Sequence, residues 1–184
     1  MSAGAVTSYI HAGGRIGVLL ELICESDFVA QTEDFTELMH DVAMHIAASD
    51  PRFIRKEDVT PEAYEREREI YRSQAESTGK PPAVVEKIVE GKMTKFYEEV
   101  CLYEQPFVKD PTISVGMLIA GKVSKLGEDI AVRRFARFKV GEDIGRAIKN
   151  PGDHPEGGEG AGVAVKKPKG PTVGSRSAAA KPDE

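Results

Sequence analysis

The chain has no tryptophan and only two cysteines, Cys24 and Cys101, among 184 residues. Two cysteines cannot make the disulfide framework of a small secreted domain, and neither sits in a CxxC or Cys/His pair with zinc-ligand spacing. Reduced thiols and a cytoplasmic location are the expectation. Long apolar runs are missing too. The longest, Ile16 to Cys24, falls far short of the ~20 residues that cross a bilayer. The first residues hold no basic stretch followed by an apolar run, so no secretion signal is read and no membrane partner is expected. A strong charge of one sign is also lacking. The net charge is −5, which gives no general attraction for nucleic acid or an anionic membrane. No Ser/His/Asp or Cys/His arrangement shows in the spacing, so no covalent catalysis, cofactor or metal site is expected.

What is present describes a folded protein: 40% hydrophobic and 30% charged residues, the balance of a globular domain. Ala5 to Ile10 is strand-prone, His11 to Arg15 supplies turn glycines, and Ile16 to Glu25 alternates, which together predict a hairpin. Ile16, Val18, Leu20, Leu22 and Cys24 share one face, while Leu19 and Ile23 make the other partly apolar. Phe35, Leu38, Met39, Val42, Ala43 and Ile46 recur at helical spacing, and Ser49-Asp50-Pro51 ends that helix. Thr60-Pro61 is an N-cap followed by proline at the first helical position. The helix it opens has a narrow stripe of Tyr64, Arg68, Tyr71 and Ala75, so it should project or pack lightly. A third helix carries Val85, Ile88, Val89, Phe96 and Val100 and stops at Gln105-Pro106.

A shorter helix from Thr112 to about Lys125 turns Val115, Leu118 and Ile119 inward. Ile130 to Val140 is a strand with Ile130, Val132, Ala136, Phe138 and Val140 on one face, interrupted by Arg134. Strands flanking a block of helices predict an α+β fold: a small antiparallel three-stranded sheet, helices packed on it, a projecting charged helix and a disordered C-terminal tail. The core is assigned to 1–146 and the tail to 147–184. From Pro151 onward, 12 of 34 residues are Pro or Gly, without apolar periodicity.

Three motifs weigh little. Gly116 to Lys122 copies the glycine and lysine spacing of a phosphate loop, but Val123 stands where magnesium needs Ser or Thr, and no strand precedes it. Arg133 to Lys139 interleaves basic and aromatic residues as RNA-binding strands do. It lacks the glycine of that motif, so a basic edge strand or a protein contact fits better, and no direct nucleic-acid partner is expected. His40 and His45 are five apart and do not share a helix face as metal ligands should. His45 reads as packed or partner-facing. In Glu21 to Ala30 a strand runs into a helix through Ser26 or Asp27 as N-cap. On the residues alone, Phe28 folds back as a staple on the core.

The run YIHAGGRIGVLLELICESDFVA, Tyr9 to Ala30, resembles the core signature of translation elongation factor Ts. The resemblance continues through HIAASDPRFIRKEDVTPE (His45–Glu62), KIVEGKMTKFYEEVCLYEQPFVKDPTISVG (Lys87–Gly116) and LGEDIAVRRFARFKVGE (Leu126–Glu142). It covers roughly residues 5–145 and implies a guanine-nucleotide exchange factor for GDP-bound elongation factor Tu. The family's Thr-Asp-Phe-Val segment intrudes near the magnesium and phosphate site of Tu, and the matching residues here are Ser26, Asp27, Phe28 and Val29. His11, Arg15 and His45 are secondary partner-contact candidates.

Two substitutions depart from the family pattern: Ser26 for threonine, which keeps the hydroxyl, and Ile23 where asparagine is usual. Family members also open with a small helical module bearing Thr-Gly-Ala-Gly, whereas this sequence starts at the core pattern. The alternative function is therefore a non-exchanging Tu-binding or scaffold protein that lost activity with that module. An RNA-binding module built on Arg133 to Lys139 is a third possibility. One copy of the core pattern is present, and single-copy members resemble halves of a symmetric pair, which raises a homodimer; the alternative is a monomer in which the charged helix from Pro61 to Thr78 folds back over the second face of the sheet.

Overall fold

The computed structural model describes residues 3–142. The predicted tail, and the boundary drawn at residue 146, lie outside them. Three strands, β1 (Ala3–Ile10), β2 (Ile16–Cys24) and β5 (Ala131–Lys139), form an antiparallel sheet in the order β1-β2-β5. The hairpin between β1 and β2 turns through Gly13 and Gly14, both left-handed at φ 89° and 67°, a conformation that glycine adopts without steric cost. His11 N–H closes the turn on the Ile16 carbonyl at 2.9 Å. β1 begins two residues earlier than the sequence suggests, because Gly4 at φ 148° lets the backbone run hard against β2.

One face of the sheet carries the core. Val18, Leu20, Leu22 and Cys24 of β2 pack with Val132 and Phe135 of β5 onto Phe35, Leu38, Val42 and Ile46 of α2 (Glu33–Ser49). Val115 and Ile119 of α5 (Val115–Leu126) complete it. Thr32 caps α2 at its start, and Asp50, left-handed at φ 50°, ends it where the sequence predicts. Between β2 and α2 lies the single turn α1 (Asp27–Ala30).

β5 corrects the expected facing. The register slips between Glu21 and Leu22: Leu22 sits opposite Val132 but Glu21 opposite Arg134, leaving Arg133 as an extra residue. A bulge of this kind reverses which side chains point inward beyond it. Phe135 and Arg137 therefore face the core side, while Arg134, Ala136 and Phe138 face away, opposite to the phase that simple alternation predicts from Val132. Val132 N–H, beside the extra residue, donates to the Tyr103 hydroxyl at 3.1 Å.

α3 (Pro61–Glu76) and α4 (Pro82–Val100) form an antiparallel pair with its own cluster: Ala75 against Val85, Val89, Met93, Phe96 and Val100. Thr60 caps α3 by accepting from Ala63 N–H at 3.3 Å. α3 packs chiefly on α4, so the charged helix leaves the outer face of the sheet uncovered. α4 ends at Val100, before the proline expected to stop it, because Cys101 turns to an extended backbone that pairs with Phe53. A two-stranded hairpin, β3 (Pro106–Phe107) with β4 (Asp110–Ser114), follows. No run in the sequence announces it, and it moves the start of α5 from the expected Thr112 to Val115.

Candidate functional site

At the end of β2 the chain must turn sharply from sheet to helix, and the side chains of Ser26, Val29, Thr32 and Glu128 hold that turn. Ser26, with extended backbone, is the N-cap of α1, and its Oγ accepts from Val29 N–H at 3.3 Å. The same hydroxyl donates to Glu128 Oε1 at 2.6 Å, and Ser26 N–H donates to Glu128 Oε2 at 3.0 Å. Val29 is buried in the core. Thr32 Oγ1 donates to the Val29 carbonyl at 2.8 Å and accepts from Phe35 N–H at 3.2 Å. Below the turn, burial pushes the Cys24 thiol pKa up, with the Glu128 carboxylate adding to the shift. It stays protonated and donates to the Ser26 carbonyl at 3.2 Å.

Between these anchors Asp27 and Phe28 are left facing solvent. Phe28 is 80% exposed, which corrects the staple reading: it does not fold back on the core. Burying a phenylalanine would stabilise the fold by about 1.5–3 kcal/mol, and the anchored turn forgoes that gain. The arrangement is a rigid base carrying a short apolar and acidic tip.

The other candidates do not join it. His11 and Arg15 occupy the hairpin at the opposite end of β2, where Tyr9 Oη lies 3.1 Å from His11 Nδ1. Arg15 and Ser26 are separated by a strand's length, roughly 35 Å at ~3.3 Å per residue. His45 is fully buried. Its Nε2 lies 2.9 Å from Gln105 Oε1 and its Nδ1 3.2 Å from Val108 N–H, so it is the packed residue of the two readings and offers no surface to a partner.

Glu128, the residue that fixes the turn, escaped the sequence reading because it lies 102 positions from Ser26 and no local pattern links them. The phosphate-loop mimic is helical, with Lys122 bonded to Asp34 and Glu37 at 2.8 and 2.7 Å. The basic strand is largely neutralised within the chain: Arg133 and Arg134 pair with Glu21, and Arg137 is buried. Among the described residues no group of three or more His, Cys, Asp or Glu could hold a metal ion, and no helix is long and apolar enough to cross a membrane.

Residues 1–142 match the family model described as Elongation factor TS. Among curated relatives, Elongation factor Ts of Koribacter versatilis (strain Ellin345) is 71% identical over 147 residues, covering 80% of this chain and 67% of the relative. That of Solibacter usitatus (strain Ellin6076) is 58% identical over 142 residues, covering 77% and 67%. That of Carboxydothermus hydrogenoformans (strain ATCC BAA-161 / DSM 6008 / Z-2901) is 54% identical over 143, covering 78% and 66%. The chain belongs to the elongation factor Ts family, and it spans about two thirds of the length of the relatives it matches.

Proposed function

We propose that this chain is a guanine-nucleotide exchange factor acting in the cytoplasm on GDP-bound elongation factor Tu. It drives GDP release by inserting Asp27 and Phe28 beside the partner's magnesium and phosphate site. The observation that carries the reading is the 80% exposure of Phe28 on a turn anchored at Ser26, Val29 and Thr32. A flexible tip would lose much of its binding energy to ordering, whereas an anchored one does not. In Tu, bound magnesium neutralises phosphate charge, so disturbing its surroundings weakens the nucleotide. Phe28 wedges packed elements apart, and Asp27 brings negative charge near the metal. The chain forms and breaks no covalent bond in this scheme. By linkage, it loosens GDP only as far as GDP loosens it.

We propose further that a second copy of the chain covers the outer face of the sheet. Val6, Ile10, Leu19, Phe138 and Val140 are exposed there, α3 does not cover them, and closed twofold pairing is the commonest way oligomers form.

The test is release of a fluorescent GDP analogue from Tu with and without the chain. The wild type accelerates release, and Phe28→Ala slows it at least tenfold while the melting temperature stays within about 2 °C of wild type, since little buried surface is removed. No acceleration by the wild type would favour the scaffold reading. A loss of ~3–5 kcal/mol in stability would return Phe28 to the core.

A further inference from the structure

We infer that Glu128 is a positioning residue for exchange, an inference that rests on the reading of Asp27 and Phe28 as the inserted tip. Its carboxylate accepts two hydrogen bonds from one residue, N–H at 3.0 Å and Oγ–H at 2.6 Å of Ser26. With its proton committed to Glu128, the Ser26 hydroxyl is fixed in rotation, and a lone pair is aimed at Val29 N–H. One side chain therefore sets both the direction in which the chain leaves β2 and the start of α1. Charge-assisted bonds of this kind are short and directional.

Glu128 is itself well supported. It follows Gly127, left-handed at φ 75°, which closes α5 by donating to the Val123 carbonyl at 2.9 Å. α5 is tied to the start of α2 through Lys122 and Lys125 on Asp34. A load on Phe28 passes through Ser26 to Glu128 and from there to α5 and α2, so the tip is braced from two directions. Val29 and Thr32 brace it on the α2 side alone. Without Glu128 the Ser26 end loses the one side-chain partner from a distant element that it has among the described residues, and the tip keeps its composition but not its aim.

The experiment is a double-mutant cycle on nucleotide release from Tu, read with the full chain in excess. Phe28→Leu is the partial lesion, chosen so that every variant stays measurable above spontaneous release. Glu128→Ala is expected to slow release about tenfold, and Glu128→Gln, whose amide oxygen still accepts from Ser26 N–H, to stay within about threefold of wild type. Phe28→Leu should cost about tenfold in the wild-type background and no more than about twofold when Glu128 is alanine, because residues acting as one unit are not additive. A purely structural role for Glu128 would leave the cost of Phe28→Leu the same in both backgrounds, and that result overturns the inference while leaving the exchange reading intact. Wild-type release by Glu128→Ala also overturns it alone. Wild-type release by Phe28→Leu and Phe28→Ala overturns the exchange reading and this inference together. If Glu128→Ala fails to fold, Glu128→Asp, which keeps the charge but draws the carboxylate back by one methylene, is read by the same criteria.

Discussion

Arg137 donates from Nε and Nη2 to the carbonyl oxygen of Ala47, at 3.3 and 3.2 Å. The bulge at Arg133 makes this possible by turning Arg137 to the core side of the sheet, where its side chain is only 4% exposed. Ala47 lies in the last turn of α2, whose carbonyls have no partner within the helix and carry the negative end of its dipole. Nη1 adds ion pairs with Asp50 at 3.1 Å and Glu142 at 3.6 Å. Strand β5 thus closes the end of the main core helix.

Arg137→Met keeps the aliphatic stem but removes the cap. It should destabilise the fold by about 2 kcal/mol, the scale of a charged hydrogen bond lost at a buried carbonyl. Arg137→Lys should recover part of that, since an ammonium restores charge but not the two-pronged geometry. Urea unfolding of the three proteins checks the order, and equal midpoints would show that Ala47 is served by water instead.

Gly4 and Gly121 should respond to alanine in opposite directions. A Cβ on Gly4 would stand 2.2 Å from the Leu22 carbonyl oxygen, a backbone atom that cannot step aside. The first pairs of β1, Ala3 with Cys24 and Gly4 with Ile23, should then peel away at a cost of about 1–3 kcal/mol. Gly121 lies inside α5 with nothing within 4 Å of a Cβ. Alanine there should stabilise by about 0.5–1 kcal/mol through helix propensity and a less flexible unfolded chain. Stabilisation by Gly121→Ala also argues against a phosphate loop at Gly116 to Lys122, which would need that glycine. Thermal unfolding of both variants decides.

His45 should make stability fall on mild acidification. Burial lowers its pKa below the ordinary value of 6.5, against the opposing effect of the Gln105 hydrogen bond. The neutral ring suits its site: Nε2–H donates to Gln105 while Nδ1 accepts from Val108. Below pH ~6.5 the unfolded chain takes up the proton before the folded chain does, so the stability from this residue is full above that pH. It declines as pH falls towards the folded pKa, with a slope of at most ~1.4 kcal/mol per pH unit. His45→Gln should lower stability overall and flatten the profile as pH falls below ~6.5. Asp34 and Glu37, held low by Lys122, lose their contribution only at lower pH, so they do not mask this window. An unchanged slope in the variant would assign the decline to other groups.

The local signals for helices were legible because each is spelled within a few residues. Thr60-Pro61 starts α3, Asp50 with Pro51 ends α2, and the spacing from Phe35 to Ile46 gives its buried stripe. The candidate site is legible only through resemblance. A cap at Ser26 or Asp27 follows from their own neighbours, but which of the two caps, and whether Phe28 tucks in or stands out, depends on Glu128 and on the α2 side of the turn. Alternation failed at β5 for the same reason. Arg134 interrupts the expected apolar face because it marks the far side of a bulge, and the strand against which that bulge forms, β2, is distant in sequence. His45 reads from the sequence as either packed or partner-facing, and Gln105, just before a hairpin the pattern does not announce, and Val108, in its turn, decide for the core.

The bulge also decides what the outer face of the sheet looks like. Beyond it Phe138, 68% exposed, stands opposite Gly17, near Ile10 and Leu19 and beside Val140. These residues line a shallow groove with Ser8 and Arg15. Glu21, Arg133 and Arg134 occupy the other half of the same face, both arginines paired with the one Glu21 carboxylate. A second copy related by a twofold axis would bury the apolar half, and stable interfaces need about 800 Å² from each partner. Leu19 is the test position, being half exposed at the centre of β2 and so removable without opening the core. Leu19→Glu should leave the unfolding transition within about 1 kcal/mol of the monomer's own stability, yet place an uncompensated charge in the middle of the shared face. At micromolar concentration the wild type should sediment near twice 20.0 kDa and the variant near 20.0 kDa, with Phe138→Glu giving the same shift. A wild type that sediments as a single 20.0 kDa species while still releasing GDP from Tu would remove the second copy from the mechanism.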